Sequence, residues 1–248
     1  MKKWLLGLVL AVATAGLAVS VSQQAKAQTA SHSELNKQVE EINQILHQNP
    51  DIVPELLNSL KGFLDSKKQS EQAMQNYQQW LFNNDKVHPW VGASNPELTI
   101  VVFTDYDCPY CKRLDPHLQK LKDNFPQVKI VSVFVPLRQQ ELSGSSVNPS
   151  EYGMNVWHDN ASKYAEAESL LYRKNGMHDA TSLRQIAQRT ETAGLLTANR
   201  EVKEAIATNY RAFTELGLRG TPAIMIGEGV IPGYVEYEQL AEVVRSQL

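Results

Sequence analysis

The sequence predicts an α/β domain behind a helical N-terminal segment. Its order is a β-α-β unit, a helical insertion, and a closing β-β-α unit. Three observations carry this reading. Residues 98–103 (LTIVVF) form a continuous apolar, β-branched run, the mark of a strand covered on both faces. Cys111, Leu114, Leu118, Leu121 and Phe125 follow at helical spacing, and 128–135 (VKIVSVFV) supplies a second strand. A long stretch of helical periodicity then precedes a strand, a tight turn and a second short strand at 223–231.

Taken in order, residues 1–27 have the layout of a secretory signal peptide. Lys2 and Lys3 lead into an apolar run at 4–21, and Ala25-Lys26-Ala27 closes it as a small-x-small cleavage site. The expected location is therefore the periplasm, reached by export. Residues 28–86 read as an N-terminal helical segment. Leu35, Val39, Ile42 and Leu46 follow 4-3-4 spacing, Asn49-Pro50-Asp51 breaks the pattern, and Pro54 suits the start of another helix running to about residue 83. A thin seam of this kind cannot build a stable core alone, so the segment either caps the following domain or joins copies of the chain into a homo-oligomer. The pattern favours the homo-oligomer. Residues 87–97, with His88-Pro89 and Ser94-Asn95-Pro96, read as a linker, and 98–248 as the main domain.

Within that domain, 137–153 holds Ser, Gly, Asn and Pro and reads as a loop. Helical patterns follow at about 161–175, 181–195 and 199–216, so the insertion spans about 137–219. Gly217 is placed to end the last of these helices. Residues 237–248 supply a C-terminal helix.

Composition narrows the function. With 248 residues, 42% of them hydrophobic and 21% charged, the chain can bury a core and is not disordered throughout. A formal net charge of −3, more negative once Lys2, Lys3 and Lys26 leave with the leader, argues against nucleic acid as a partner. The two cysteines, Cys108 and Cys111, are the only ones, and they sit in Cys108-Pro109-Tyr110-Cys111. A bridge closing so short a loop constrains the unfolded chain little. Zinc wants four ligands, and no second pair is present; the six histidines show no metal spacing either. Redox chemistry remains as the main reading, with copper(I) binding by two soft thiolates as a lesser one.

The pair falls at a strand-to-helix junction, on the first helical turn. There the N–H groups lack intrahelical partners, and the helix dipole adds partial positive charge. A Cys108 thiolate is stabilised by that field. Cys111 lies one turn deeper on the same side. Cys108 is therefore expected to be the nucleophile and Cys111 the resolving thiol, with their own redox-active disulfide as the only cofactor. Tyr110, between them, is expected to shape the substrate surface and tune the pair.

Strand, Cys-Pro-Tyr-Cys and amphipathic helix resemble the active site of the thioredoxin superfamily, and Pro116 matches the helix-kinking proline of many members. Gly220-Thr221-Pro222-Ala223 resembles the superfamily's cis-proline loop, which implies a cis bond at Pro222 and a Thr221 backbone that receives extended substrate chains. The stretch 217–234 (GLRGTPAIMIGEGVIPGY) resembles the disulfide isomerases DsbC and DsbG, while the N-terminal half resembles ScsC-like proteins of the DsbA family. The implied fold is a thioredoxin fold with a DsbA-like helical insertion. The implied function is a thiol–disulfide oxidoreductase acting on exported proteins that carry disulfides, as an isomerase or reductase fed by a DsbD-like membrane electron donor. The alternatives are an oxidase served by a DsbB-like partner and, through the ScsC likeness, copper(I) handling.

Other candidates read more plainly. Asp105 and Asp107 flank the site and are expected to be solvated loop carboxylates, although a buried one would be able to relay a proton to Cys111. Lys112 and His117 read as exposed helix residues, and Trp80, Trp90 and Trp157 as packing.

Overall fold

The computed structural model of the protein describes residues 33–227 and 229–248. The expected signal peptide, 1–27, lies outside the described residues. The chain divides after Leu64 into two compact units. In the first, residues 33–48 are helical (α1), Asn49 and a 3-10 turn at Pro50–Ile52 interrupt the path, and α2 (Val53–Phe82) begins. Most apolar side chains of this unit, among them Leu35, Val39, Ile42, Leu56, Leu60 and Phe63, are exposed, and Leu46 is half-buried.

The second unit is organised by a five-stranded sheet of β1 (Trp90–Gly92), β2 (Leu98–Thr104), β3 (Val128–Phe134), β4 (Ala223–Ile226) and β5 (Gly229–Pro232), in the order β1-β3-β2-β4-β5. β2 and β3 run parallel, with Leu98 opposite Val128 and Thr104 opposite Phe134; every other neighbouring pair is antiparallel. The helices are α3 (Pro109–Asn124), α4 (Pro149–Asp159), α5 (Ala161–Arg173), α6 (Ala180–Arg189), α7 (Arg200–Glu215) and α8 (Tyr237–Gln247).

Both faces of the sheet are covered, which explains the unbroken apolar run in β2. Ile100 and Val102 pack with Leu114 and Leu121 of α3 and Leu240 and Val244 of α8. Val101 and Phe103, on the opposite face, pack with Leu81 of α2 and Phe213 of α7. Each such side chain contributes about 1.5–3 kcal/mol by leaving water. The insertion helices form a third cluster that also contains Cys108 and Cys111.

The structure departs from expectation in three places. β1 lies inside the expected linker and pairs with β3. Three residues are too few to show periodicity, and this strand exists because β3 offers an edge. Gly92 ends it at φ +97°, where a Cβ would meet the Val128 carbonyl. Second, α4 occupies part of the expected loop. Asn148 Oδ1 accepts from the Glu151 amide at 2.9 Å and Glu151 Oε2 accepts from the Asn148 amide at 3.0 Å, a capping box with Pro149 at the first helical position. The residues that read as loop formers are the helix's start signal. Third, Ala73 and Leu81 of α2 belong to the sheet's core, so part of the expected N-terminal segment is built into the second unit.

Candidate active site

Helix α3 starts immediately behind the sheet's central strand. Cys108 is its N-cap residue, with extended backbone (φ −81°, ψ 121°), and Pro109 takes the first helical position as expected. Because β4 pairs with β2, Phe103 opposite Ala223, the segment entering β4 arrives beside the segment leaving β2. The Thr221–Pro222 bond is cis, as the loop's resemblance implied. The Cys108 thiol donates to the Thr221 carbonyl at 3.1 Å, joining residues far apart in the chain.

Both cysteines are free thiols in this structure. Cys108 is 5% exposed and Cys111 2%. Their acidities are driven apart. Cys108 is lowered to about 6, chiefly by the hydrogen bond from Cys111, with the Thr221 side chain and the amides of Cys111 and Tyr110 adding to it against burial. These donors outweigh the Thr221 carbonyl, which favours the thiol. Burial pushes Cys111 well above the ordinary thiol range, and the neighbouring Cys108 pushes it further.

The expectation of solvated carboxylates is corrected: Asp105 and Asp107 are both buried. Asp105 accepts from the amides of Asp107 at 2.9 Å and Arg138 at 3.0 Å. Asp107 accepts from the His178 amide at 2.7 Å. These oxygens are occupied in fixing the loop before Cys108, and burial raises both pKa values. The expected exposure of Lys112 is corrected too. Its Nζ donates to the carbonyls of Lys174 at 2.6 Å and Gly176 at 2.7 Å, clamping α3 to the loop after α5. A lysine spends its long stem on such reach, which spacing alone does not reveal.

On the open side, Tyr110 is 53% exposed beside the thiols. Arg113 lies 4.4 Å from the Tyr234 ring centroid, and Tyr234 shares a 3.0 Å hydrogen bond with His117 Nε2. Behind the thiols, Thr104 closes β2. Its hydroxyl lies 2.8 Å from that of Tyr172 on α5, and its side chain opposes the rise that burial imposes on Cys111. Sequence reading missed both residues. Thr104 was findable, because the last residue of β2 must sit under the helix start; Tyr172 depends on how the insertion folds back. Among the described residues, no group of three or more His, Cys, Asp or Glu side chains gathers to hold a metal.

A family model for the thioredoxin-like domain matches residues 90–248. The chain belongs to the thioredoxin-like family. The match begins at β1, so the strand hidden in the expected linker is part of the thioredoxin-like domain. Among solved structures, the catalytic domain of Proteus mirabilis ScsC is 32% identical, with a TM-score of 0.64 over 71% of this chain and 97% of that one. A periplasmic thioredoxin-like protein from Salmonella enterica serovar Typhimurium is 33% identical, with a TM-score of 0.62 over 68% and 94%. A linker-deletion variant of Proteus mirabilis ScsC extends the likeness to 86% of this chain and 94% of its own, at 29% identity and a TM-score of 0.67. No curated protein matches the chain. The thioredoxin-like fold with an all-helical insertion thus agrees with what the sequence led us to expect.

Proposed function

We propose that this thiol–disulfide oxidoreductase acts in the periplasm as a disulfide isomerase or reductase on exported proteins. The observation that supports thiol exchange is geometric: Cys108 caps α3 with its thiol 3.1 Å from the Thr221 carbonyl, beside the cis Thr221–Pro222 bond, while Cys111 is buried one turn further on. The Cys108 thiolate attacks a substrate disulfide. A Cys108–substrate disulfide forms, and the second substrate sulfur leaves with the electron pair. In isomerisation that sulfur, or another thiol of the substrate, attacks in turn and frees Cys108. In reduction, Cys111 loses its proton and attacks the Cys108 sulfur. The Cys108–Cys111 disulfide forms, and the substrate sulfur departs as a thiolate.

Thr221, Pro222 and Tyr110 are proposed to receive the substrate chain, with Thr221 offering backbone groups to an extended segment. Upkeep of the reduced pair falls to a DsbD-like membrane donor. One observation favours the oxidase alternative with a DsbB-like partner: stabilising the Cys108 thiolate stabilises the dithiol and makes the disulfide more oxidising. The periplasmic location rests on the leader-like 1–27 and on the ScsC likeness. No helix among the described residues is long and apolar enough to cross a membrane.

The exposed seam of 33–64 is proposed to pack against the same seam in other copies of the chain, since 4-3-4 spacing complements itself. Light scattering on a chain lacking 28–64 should then give a smaller assembly; an unchanged mass sinks the idea. Thiol trapping in cells decides the direction of exchange. Mostly reduced Cys108 and Cys111 support the isomerase or reductase reading, and a mostly oxidised pair replaces it with the oxidase.

A further inference from the structure

We propose that Arg113, braced by the Tyr234 and Tyr110 rings, is a specificity subsite that favours substrates with an acidic side chain close to the disulfide under attack. The proposal rests on the exchange reaction proposed for Cys108 and names the kind of chain that site takes best.

The patch is built from two elements. Tyr110, Arg113 and His117 stand three and four residues apart, so they share one face of α3. Tyr234 meets that face from the loop after β5. The Arg113 guanidinium carbon lies 4.4 Å from the centroid of the Tyr234 ring and 6.0 Å from that of Tyr110, and the two rings are 6.5 Å apart. His117 Nε2, at 3.0 Å, fixes the Tyr234 hydroxyl. The same loop is tied to the cis-proline, because the Gly233 amide donates to the Pro222 carbonyl at 2.8 Å. The patch therefore begins at Tyr110, inside the cysteine motif, and ends beside Pro222.

Its chemistry selects an anion. The contact with the Tyr234 ring uses the cation's charge and leaves guanidinium N–H groups available for a carboxylate. Glu236 is 3.9 Å away, too far to take those groups, and the Arg113 and Glu236 side chains are 60% and 62% exposed. Glu236 also stands 3.7 Å from His117, so it is a loosely held competitor that a substrate carboxylate displaces. Lys112, the neighbouring cation, is already spent on the Lys174 and Gly176 carbonyls. Reach sets the position of the acidic residue. Arg113 stands five residues past Cys108, roughly 7.5 Å along the helix axis, a span covered by two or three extended residues at about 3.3–3.6 Å each.

The test uses the reduced full-length protein and two sets of disulfide peptides. Within a set the peptides differ only in carrying Glu, Gln, Lys or Phe at one position, before the cysteine in one set and after it in the other. The readout is the second-order rate of peptide reduction. In at least one set Glu should exceed Gln by about threefold, the scale of an exposed ion pair, and exceed Lys by more. Both margins should shrink in about 1 M salt. Arg113→Gln should erase the margin of Glu over Gln, Arg113→Glu should turn the preference toward Lys, and Glu236→Gln should widen the margin for Glu. Ratios taken within each protein cancel any change in the Cys108 thiolate itself. Equal rates for Glu, Gln and Lys in the wild type overturn the subsite and leave the exchange reaction standing. A margin that survives Arg113→Gln, or one that narrows in Glu236→Gln, also overturns it. So does a Phe peptide that outruns Glu whether or not Arg113 is present, which would make the patch an aromatic platform. Failure of the wild type to reduce any peptide removes the proposed function, and the subsite with it.

Discussion

The two walls of the cysteine pair are built from different parts of the chain and act in opposite directions. The front wall is the helix start and the loop before β4; the Cys111 thiol is the largest influence bringing Cys108 to about 6, and front-wall donors from Thr221 and the Cys111 and Tyr110 amides add to it. The rear wall is the end of β2 and helix α5, whose packing holds Cys111 protonated. Two thiols separated by one helical turn share a motif but not an environment. One position caps a helix with unpaired N–H groups; the next turn lies under the insertion. The motif marks where the chemistry is, and the surrounding chain divides the labour.

The most damaging way to break this contrast is to remove one thiol at a time. Cys108→Ala should abolish reduction of a protein disulfide, whereas Cys111→Ala should accumulate mixed disulfides visible on a non-reducing gel. Equal behaviour of the two would dissolve the asymmetry. Next in size, Cys111→Ala should also move the alkylation midpoint of Cys108 upward, since the Cys111 hydrogen bond is the largest influence lowering it. Thr221→Val should raise the midpoint by less, because that side chain contributes a smaller share. Iodoacetamide rates against pH check both, and an unmoved midpoint in Cys111→Ala would show that the helix start alone sets the acidity.

The front wall was legible in the sequence and the rear wall was not, for physical reasons. Cys108 and Pro109 are local signals, a helix start and a first-turn proline, whereas the cis bond at Pro222 was implied only by the loop's resemblance to a known family. The sheet strands β2 and β3 were legible because burial on both faces leaves an unbroken apolar run. Asp105, Asp107 and Lys112 were misread because burial of a polar side chain is decided by partners elsewhere, here Arg138, His178 and Lys174. Helix α4 was hidden by Asn148 and Pro149, residues that serve loops and helix starts alike. Tyr172 had no local mark at all.

The rear wall has its own thermal signature. Burial raises Glu168 to about 8, so the folded protein keeps this carboxyl protonated where the unfolded chain ionises it near 4.5. Stability from this group is fully present below about 4.5 and is lost as pH rises toward 8. Glu168→Gln removes that dependence, so its melting temperature should gain on the wild type as pH climbs from 5 to 8. A constant difference across that range would mean Glu168 is ionised in the folded state. The smallest effect concerns the fold beside the site: Asn148→Ala should cost about 1 kcal/mol in denaturant unfolding by removing the α4 cap.

The contrast itself is tested most directly by alkylating the reduced protein across pH and reading each cysteine separately by mass spectrometry. The account predicts that Cys108 reacts with a midpoint near 6 while Cys111 stays unreactive through neutrality. Two cysteines titrating together near the ordinary thiol value of about 8.5 would contradict it.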